Sequence, residues 1–396
     1  MADSTSMRLL VTNARVYGPD RVAEPGWLLA EGRQIVGMGY GRPPQFDDDR
    51  STRTLDAEGR HLLPGFIDLH VHGAVGHEAM DASADGLRAM ARCFAQHGVS
   101  GFLPTTWTAS PEATQRALDT IADVLGPVAK GATILGAHLE GPYLNVAKSG
   151  AQDPRYIRLA DPVEATALLG RGFIRLLALA PEFAENLRLI DDCVRRGVAV
   201  SIAHTSATYE QVLEAVEHGA SQMTHAFNAM SGFGHRDLGT AGAMLALPQL
   251  RAELIADTIH VHPAAMRVLV AAKGTASVIL ITDAMRATGM PDGDYRINSR
   301  TVTVRDGAAR LPDGTLAGSV LTMDVALRNI AAATGLPLSE LWPLTSLNAA
   351  RAIGLSARKG SLEVGKDSDL VLLDDQFQVQ LTVAEGIVVY DADSKP

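Results

Sequence analysis

The chain has 396 residues, 46% of them apolar and 20% charged, with a formal net charge of −10. That length exceeds one average domain and supplies a large buried core, while the negative balance, without any Lys/Arg cluster, excludes a nucleic-acid-binding face. Two cysteines, Cys93 and Cys193, are too few for a disulfide framework; no run approaches 18 uninterrupted apolar residues, and the stretch around Asp3 lacks a signal-peptide core. A cytoplasmic protein with no membrane partner and two buried thiols is expected.

Residues 8–60 carry no helical period and are punctuated by Gly and Pro, which predicts strands at 8–16, 27–30 and 34–38. From residue 62 short apolar strands alternate with amphipathic stretches. Strands are expected at 65–71, 101–106, 132–139, 174–181, 198–204, 222–225, 251–256 and 277–282, with helices between most of them, among these 84–97, 111–130, 186–196 and 209–218. Helices at 322–333 and 338–350 follow, then strands at 370–373, 379–381 and 387–389. Strand alternating with helix implies a parallel sheet, and eight such strands imply a closed (β/α)₈ barrel. An open doubly wound sheet is the alternative, but it usually has a Gly-rich turn after its first strand, where this chain has His70-Val71-His72-Gly73. The expected fold is α/β, a (β/α)₈ TIM barrel over 62–355 with a small β-sandwich domain assembled from 1–61 and 356–396.

In such a barrel the chemistry sits at the C-terminal ends of the strands. Taken in order, those ends carry His70 and His72, then Thr105 and Thr106, Glu140, Glu182, His204, His225, Asp257 and Asp283. Imidazoles and carboxylates converging on one mouth are what a divalent ion needs. His-x-His on one strand also places both imidazoles on one face, because strand side chains alternate. Other roles stay open residue by residue: Asp283 as a helix cap, Glu140 as a turn carboxylate, each lone histidine as a structural residue. No chemistry is assigned to His61, His77, His97, His138, His218, His235 or His262. A metal at this rim suggests hydrolysis, with Asp283, alone on the last strand, as the group that takes a proton from water and passes it to a leaving nitrogen.

Several segments resemble one family. PGFIDLHVHG at 64–73 is similar to the barrel entry of the amidohydrolase superfamily, and HLEGPYL at 138–144, THAFNAM at 224–230, TDAM at 282–285, GTLAGS at 314–319 and GSL through GKD at 360–367 resemble the N-acetylglucosamine-6-phosphate deacetylases. The resemblance runs from about residue 8 to about residue 390. It implies hydrolysis of the N-acetyl group of an amino-sugar 6-phosphate in amino-sugar catabolism or recycling, in a homodimer. It further implies Glu140, His204 and His225 as ligands of the main metal, His70 and His72 as a second metal position, and Asp283 as the catalytic acid/base. Asn228 and Ala229 then match contacts to the sugar, Arg236 and His260 the phosphate grip, partly lent by a neighbouring subunit, and Leu316, Ala317 and Gly318 a loop lining the substrate. Zn²⁺ is the expected ion, one or two per subunit, with Fe²⁺, Co²⁺ or Mn²⁺ as alternatives.

One position departs from the family. Its members commonly have Lys-Gly-x-His after the glutamate motif, with a histidine that touches substrate; here Lys148-Ser149-Gly150-Ala151-Gln152 places Gln152 there, beside Ala151, as the expected substrate contacts. Glutamine donates a hydrogen bond but carries no charge, which shifts carbonyl polarisation toward metal. Three alternatives to this reading are a deacetylase of N-acetylgalactosamine 6-phosphate, another amide hydrolase of the superfamily, such as a cyclic-amide hydrolase or N-acyl-amino-acid deacylase, and a non-catalytic scaffold. The fourth barrel strand lacks the lysine with which many cyclic-amide hydrolases bridge two metals, and no metal-ligand position is missing.

Overall fold

The computed structural model describes residues 8–44, 52–297 and 300–394; Asp3 lies outside them. Eight parallel strands form the barrel: β1 (Phe66–Val71), β2 (Val99–Thr106), β3 (Ala137–Glu140), β4 (Ile174–Leu179), β5 (Ala199–Ile202), β6 (Gln222–Met223), β7 (Arg251–Ile255) and β8 (Val278–Ile281). Each pairs in parallel with the next. The ring closes between β8 and β1, where Val71 bridges Ala284 and the Asp283 N–H donates to the His70 carbonyl at 2.9 Å. Below that closure Asp68 is buried and accepts from the Thr282 hydroxyl at 2.5 Å and from the main-chain N–H groups of His70 and Thr282. Burial pushes the Asp68 carboxyl up to about 6 against those bonds.

Each crossover between strands covers the barrel with a helix's apolar stripe. Ala84–Gln96 is capped by Ser83 and buries Leu87, Met90, Cys93 and Phe94; Ala184–Arg195 buries Leu189, Ile190 and Cys193. Both cysteines are therefore buried free thiols. The predicted helix over 111–130 stops at Asp123, because Gly126 adopts φ 99° and Pro127 follows; Gly126–Val128 instead pairs antiparallel with Gly131–Ile134. The predicted strand over 132–139 is likewise interrupted, at Gly136 with φ 150°. The predicted helix over 338–350 is two helices, Leu338–Thr345 and Leu347–Ala352, with Pro343 in the first.

The two chain ends make a second sheet. Its order is Ile387–Asp391, Val379–Ala384, Leu370–Leu373, His61–Pro64, Arg8–Tyr17, Val22–Glu31 and Gln34–Tyr40, with Thr52–Asp56 pairing in parallel with Arg8–Tyr17. It closes on a core of its own that includes Val11, Leu28, Leu62, Leu370 and Val383. At its junction Lys359, 4% exposed on its side chain, lies 2.8 Å from Asp369, 3.1 Å from Asp367 and 3.2 Å from Glu385. A third sheet, absent from the sequence expectations, joins Gly293–Ile297, Arg300–Arg305 and Ala308–Arg310 after β8; its apolar side packs with Trp107, Ala151, Met285 and Ala317. No helix among the described residues is long and apolar enough to cross a membrane.

Candidate metal centre and active site

Six side chains meet at the C-terminal mouth of the barrel, all nearly or fully buried: His70 from β1 and His72 directly after it, Glu140 from β3, His204 after β5, His225 after β6 and Asp283 after β8. His204, His225 and Asp283 each sit two residues beyond the end of their strand, and each has left-handed backbone, with φ of 44°, 30° and 50°. Such backbone costs about 1–2 kcal/mol for a non-glycine residue and persists where the surroundings enforce it. Three strands using one turn to aim a side chain across the mouth is a local construction that strand periodicity does not reveal.

Glu140 divides the cluster in two. Its Oε1 lies 3.1 Å from His204 Nε2 and 3.2 Å from His225 Nε2, which are 3.1 Å apart. Its Oε2 lies 3.2 Å from His72 Nε2 and 3.6 Å from His70 Nε2, which are 3.3 Å apart. Asp283 Oδ1 stands 3.3 Å from His72 Nε2 and 3.5 Å from His70 Nε2. Ligand atoms at about 2.1 Å from a tetrahedral zinc ion are about 3.4 Å from one another, so both trios have the spacing of a ligand shell.

Proton bookkeeping points the same way. His204 Nδ1 lies 2.8 Å from the Lys148 carbonyl and His72 Nδ1 3.2 Å from the Thr105 carbonyl. A carbonyl only accepts, so both rings donate from Nδ1, and their neutral forms point Nε2 lone pairs at Glu140. Lone pairs facing a carboxylate require a proton or a cation between them. Burial alone would lower the His70 pKa, but the Glu140 and Asp283 charges drive it well above the ordinary imidazole range. Glu140 is held well below the usual carboxylate range by His70, His204 and His225, in spite of burial. Asp283 is lowered in the same way by His70 and His72, again against burial. The pocket demands positive charge, and a divalent ion meets that demand; the donor set fits one.

Further residues support this shell. Glu253, fully buried in β7, places Oε2 3.4 Å from His70 Nδ1, and the Trp107 ring stacks on His72 with centroids 3.5 Å apart. His138 lies edge-on to His70 at 4.7 Å, and burial together with the His70 charge holds it well below its ordinary pKa. The other strand-end residues do different work. Glu182 accepts from Asn145, Ser206 and Thr205, pinning two loops. Asp257 accepts the His260 ring Nδ1–H at 2.6 Å, which leaves Nε2 as that ring's remaining nitrogen.

A cavity of about 380 Å³ opens above the cluster. Glu140, His204, His225 and Asp283 form part of its wall, with Ala151, Gln152, Asn228, Ala229, His260, Leu316 and Gly318. Two expected contacts are not brought into it. Ala317 is buried in the core beneath the third sheet, and Arg236 is exposed on the segment after Met230, away from this wall. Trp107, Lys148, Ile255 and Thr315 line the cavity without having been expected. Trp107 directly follows β2 and was legible by the strand-end rule, whereas the signal for Glu253 is a different one, a carboxylate in the middle of an apolar strand.

Comparison with known proteins agrees with this geometry. The amidohydrolase family model matches residues 61–389. The N-acetylglucosamine-6-phosphate deacetylase of Bacillus subtilis is 40% identical over 388 residues, covering 96% of this chain and 97% of that protein. The N-acetylgalactosamine-6-phosphate deacetylase of Escherichia coli O157:H7 is 39% identical over 327 residues, covering 82% and 86%. A mutant N-acetyl-D-glucosamine-6-phosphate deacetylase from Mycobacterium smegmatis, solved in complex with N-acetyl-D-glucosamine-6-phosphate, superimposes with a TM-score of 0.88 at 34% identity, covering 98% of this chain and 100% of that one. The chain belongs to the amidohydrolase family and, within it, to the N-acetylglucosamine-6-phosphate deacetylases.

Proposed function

We propose that this chain hydrolyses N-acetylglucosamine 6-phosphate to glucosamine 6-phosphate and acetate, in amino-sugar catabolism or recycling. The observation that carries the reading is Glu140, shared between two His pairs on the floor of a cavity, with Asp283 beside it. Glu140, His204 and His225 would hold one ion, and His70 and His72, with the second oxygen of Glu140, another; Zn²⁺ suits these N/O donors, as do Fe²⁺, Co²⁺ and Mn²⁺. A bound ion supplies Lewis-acid chemistry, easing deprotonation of water and polarising the acetyl carbonyl.

The chain's own groups do the rest. Asp283, ionised by its histidine neighbours, accepts the proton of the attacking water and returns it to the amide nitrogen, so that the amine departs neutral. Asn228 spends its Nδ2 on the carbonyls of His225 and Ala226, which leaves Oδ1 for a sugar hydroxyl. The main chain at Ala229, Ala151, Leu316 and Gly318 shapes the walls. His260, whose Nδ1–H donates to Asp257, would meet the phosphate as the imidazolium, the form in which Nε2 also donates. Arg236 is exposed and outside the cavity wall of its own chain, so its role as a phosphate grip would require a homodimer in which it is lent to a neighbouring copy. Two buried free thiols fit a cytoplasmic setting.

The 39% identity to an N-acetylgalactosamine-6-phosphate deacetylase makes the 4-epimer the second reading. Purified protein loaded with Zn²⁺ and offered both N-acetylhexosamine 6-phosphates tests the two. Acetate released faster from the gluco substrate is expected; faster release from the galacto epimer selects the second reading, and no release from either overturns both.

A further inference from the structure

Gln152 borders the cavity at the position where the family resemblance implies a histidine that touches substrate, yet its amide is engaged by the protein itself. It is 1% exposed, and both ends of its amide are used by the protein. Oε1 accepts the Thr108 main-chain N–H at 2.7 Å, and Nε2 donates to Glu140 Oε2 at 2.5 Å. A main-chain N–H only donates and an ionised carboxylate only accepts, so the amide fits one way round. The Thr108 hydroxyl in turn donates to the Glu140 carbonyl at 3.3 Å. The segment after β2, the loop holding Gln152 and the end of β3 are thus tied into one brace.

The brace acts on one atom. Oε1 of Glu140 faces His204 and His225, whereas Oε2 faces His70 and His72. Free rotation of the carboxylate would spoil both contacts. A donor held on Oε2 fixes that rotation and leaves the oxygen's second lone pair toward the β1 histidines. The donor is neutral, so it orients Glu140 without cancelling the negative charge that a cation needs.

We infer that Gln152 is a positioning residue for the carboxylate shared by the two ligand trios, and not a contact to the sugar. The inference rests on the metal-centre reading given above. Partners that orient a ligand typically change metal affinity by about 10–100-fold when removed.

Gln152→Leu and Gln152→Met both delete the amide and keep a comparable volume. Bound Zn²⁺ per chain is measured after dialysis at graded free-metal concentrations, and KM is measured at saturating metal. Both variants should need about 10–100-fold more free Zn²⁺ for half-occupancy, with KM within about threefold of wild type. Melting of the chelator-treated proteins identifies a variant that fails to fold, and the other then carries the test. Wild-type Zn²⁺ affinity in a folded variant, or a KM raised more than about tenfold, overturns the inference alone. Wild-type protein that binds no Zn²⁺ at saturation overturns the metal-centre reading and this inference with it.

Discussion

Asp283 and His70 are joined twice: the Asp283 main-chain N–H donates to the His70 carbonyl at 2.9 Å, and the Asp283 carboxylate lies 3.5 Å from the same histidine's Nε2. The first contact closes the barrel and the second belongs to the site. The two are separable by substitution, because only the side chain is lost.

Asp283→Asn should therefore fold and keep its metal while kcat falls about 10²–10⁴-fold, the usual contribution of a positioned acid/base. Asparagine also tolerates the left-handed backbone at this position, where φ is 50°. Initial rates with metal content and melting temperature check it; a variant retaining more than a tenth of wild-type kcat would remove Asp283 from the proton path.

Glu253→Leu removes the carboxylate that lies 3.4 Å from His70 Nδ1. His70 then loses its orientation, and if a second ion binds with His72 its affinity should fall about 10–100-fold, while an ion held by His204 and His225 would stay. Counting metal per chain along a chelator titration should show one ion lost early; loss of both together would contradict the assignment.

Arg236→Ala should raise KM for the phosphorylated sugar about 10–100-fold, the worth of a charge-assisted pair, and leave hydrolysis of unphosphorylated N-acetylglucosamine unchanged. Steady-state kinetics on both sugars decides it. Equal effects on both would mean that the arginine does not meet phosphate.

His97 follows the Ala84–Gln96 helix and lies 3.0 Å from Asp324 at the start of Met323–Thr334. Burial alone would lower its pKa, but Asp324 and Cys93 take it from 6.5 up to about 9. A folded-state pKa above the unfolded one stabilises fully below pH 6.5, and the contribution disappears as pH rises through about 9. With about a third of the ring open to solvent, it is about 1–2 kcal/mol. Urea unfolding at pH 6 and pH 9.5 should show that difference in the wild type and a reduced one in His97→Gln.

Lys359 is the cation among three nearly buried carboxylates, Asp367, Asp369 and Glu385, and Arg33 and Arg358 reach only part of that charge from outside. Lys359→Met leaves buried negative charge uncompensated and should cost about 3–5 kcal/mol. Denaturant unfolding checks it; a loss below about 1 kcal/mol would mean that water or Arg33 already neutralises the cluster.

Much of this was legible in the sequence because barrel strands are nearly continuous apolar runs, and because the residue at a strand's end points into the mouth. That rule picks out His70, His72, Glu140, His204, His225 and Asp283 together with Thr105, Thr106, Glu182 and Asp257, and the first six converge. Other features answer to contacts rather than to period. The strands at Gly293–Ile297, Arg300–Arg305 and Ala308–Arg310 are short, and all three present exposed residues at alternate or end positions, a weak signal beside the barrel. Gln152 is expected as a substrate contact from the family resemblance and does border the cavity, but only the distances to Thr108 and Glu140 show how its amide is bonded. Ala317 was expected on the cavity wall as part of a motif, but its neighbours Leu316 and Gly318 face the opening while its own methyl turns inward.

The pairing of Leu370–Leu373 with His61–Pro64, register Leu370 to Pro64, has a consequence for biosynthesis. The strand that leads directly into β1 finds this partner only in a segment that lies far downstream in the sequence, at Leu370–Leu373. Until that segment is made its edge is bare, and a bare edge is a template for joining another nascent chain. Pairing so distant in sequence forms slowly. Truncation before Leu370 would therefore act at the far end of the molecule, loosening the entry to the strand that presents His70 and His72.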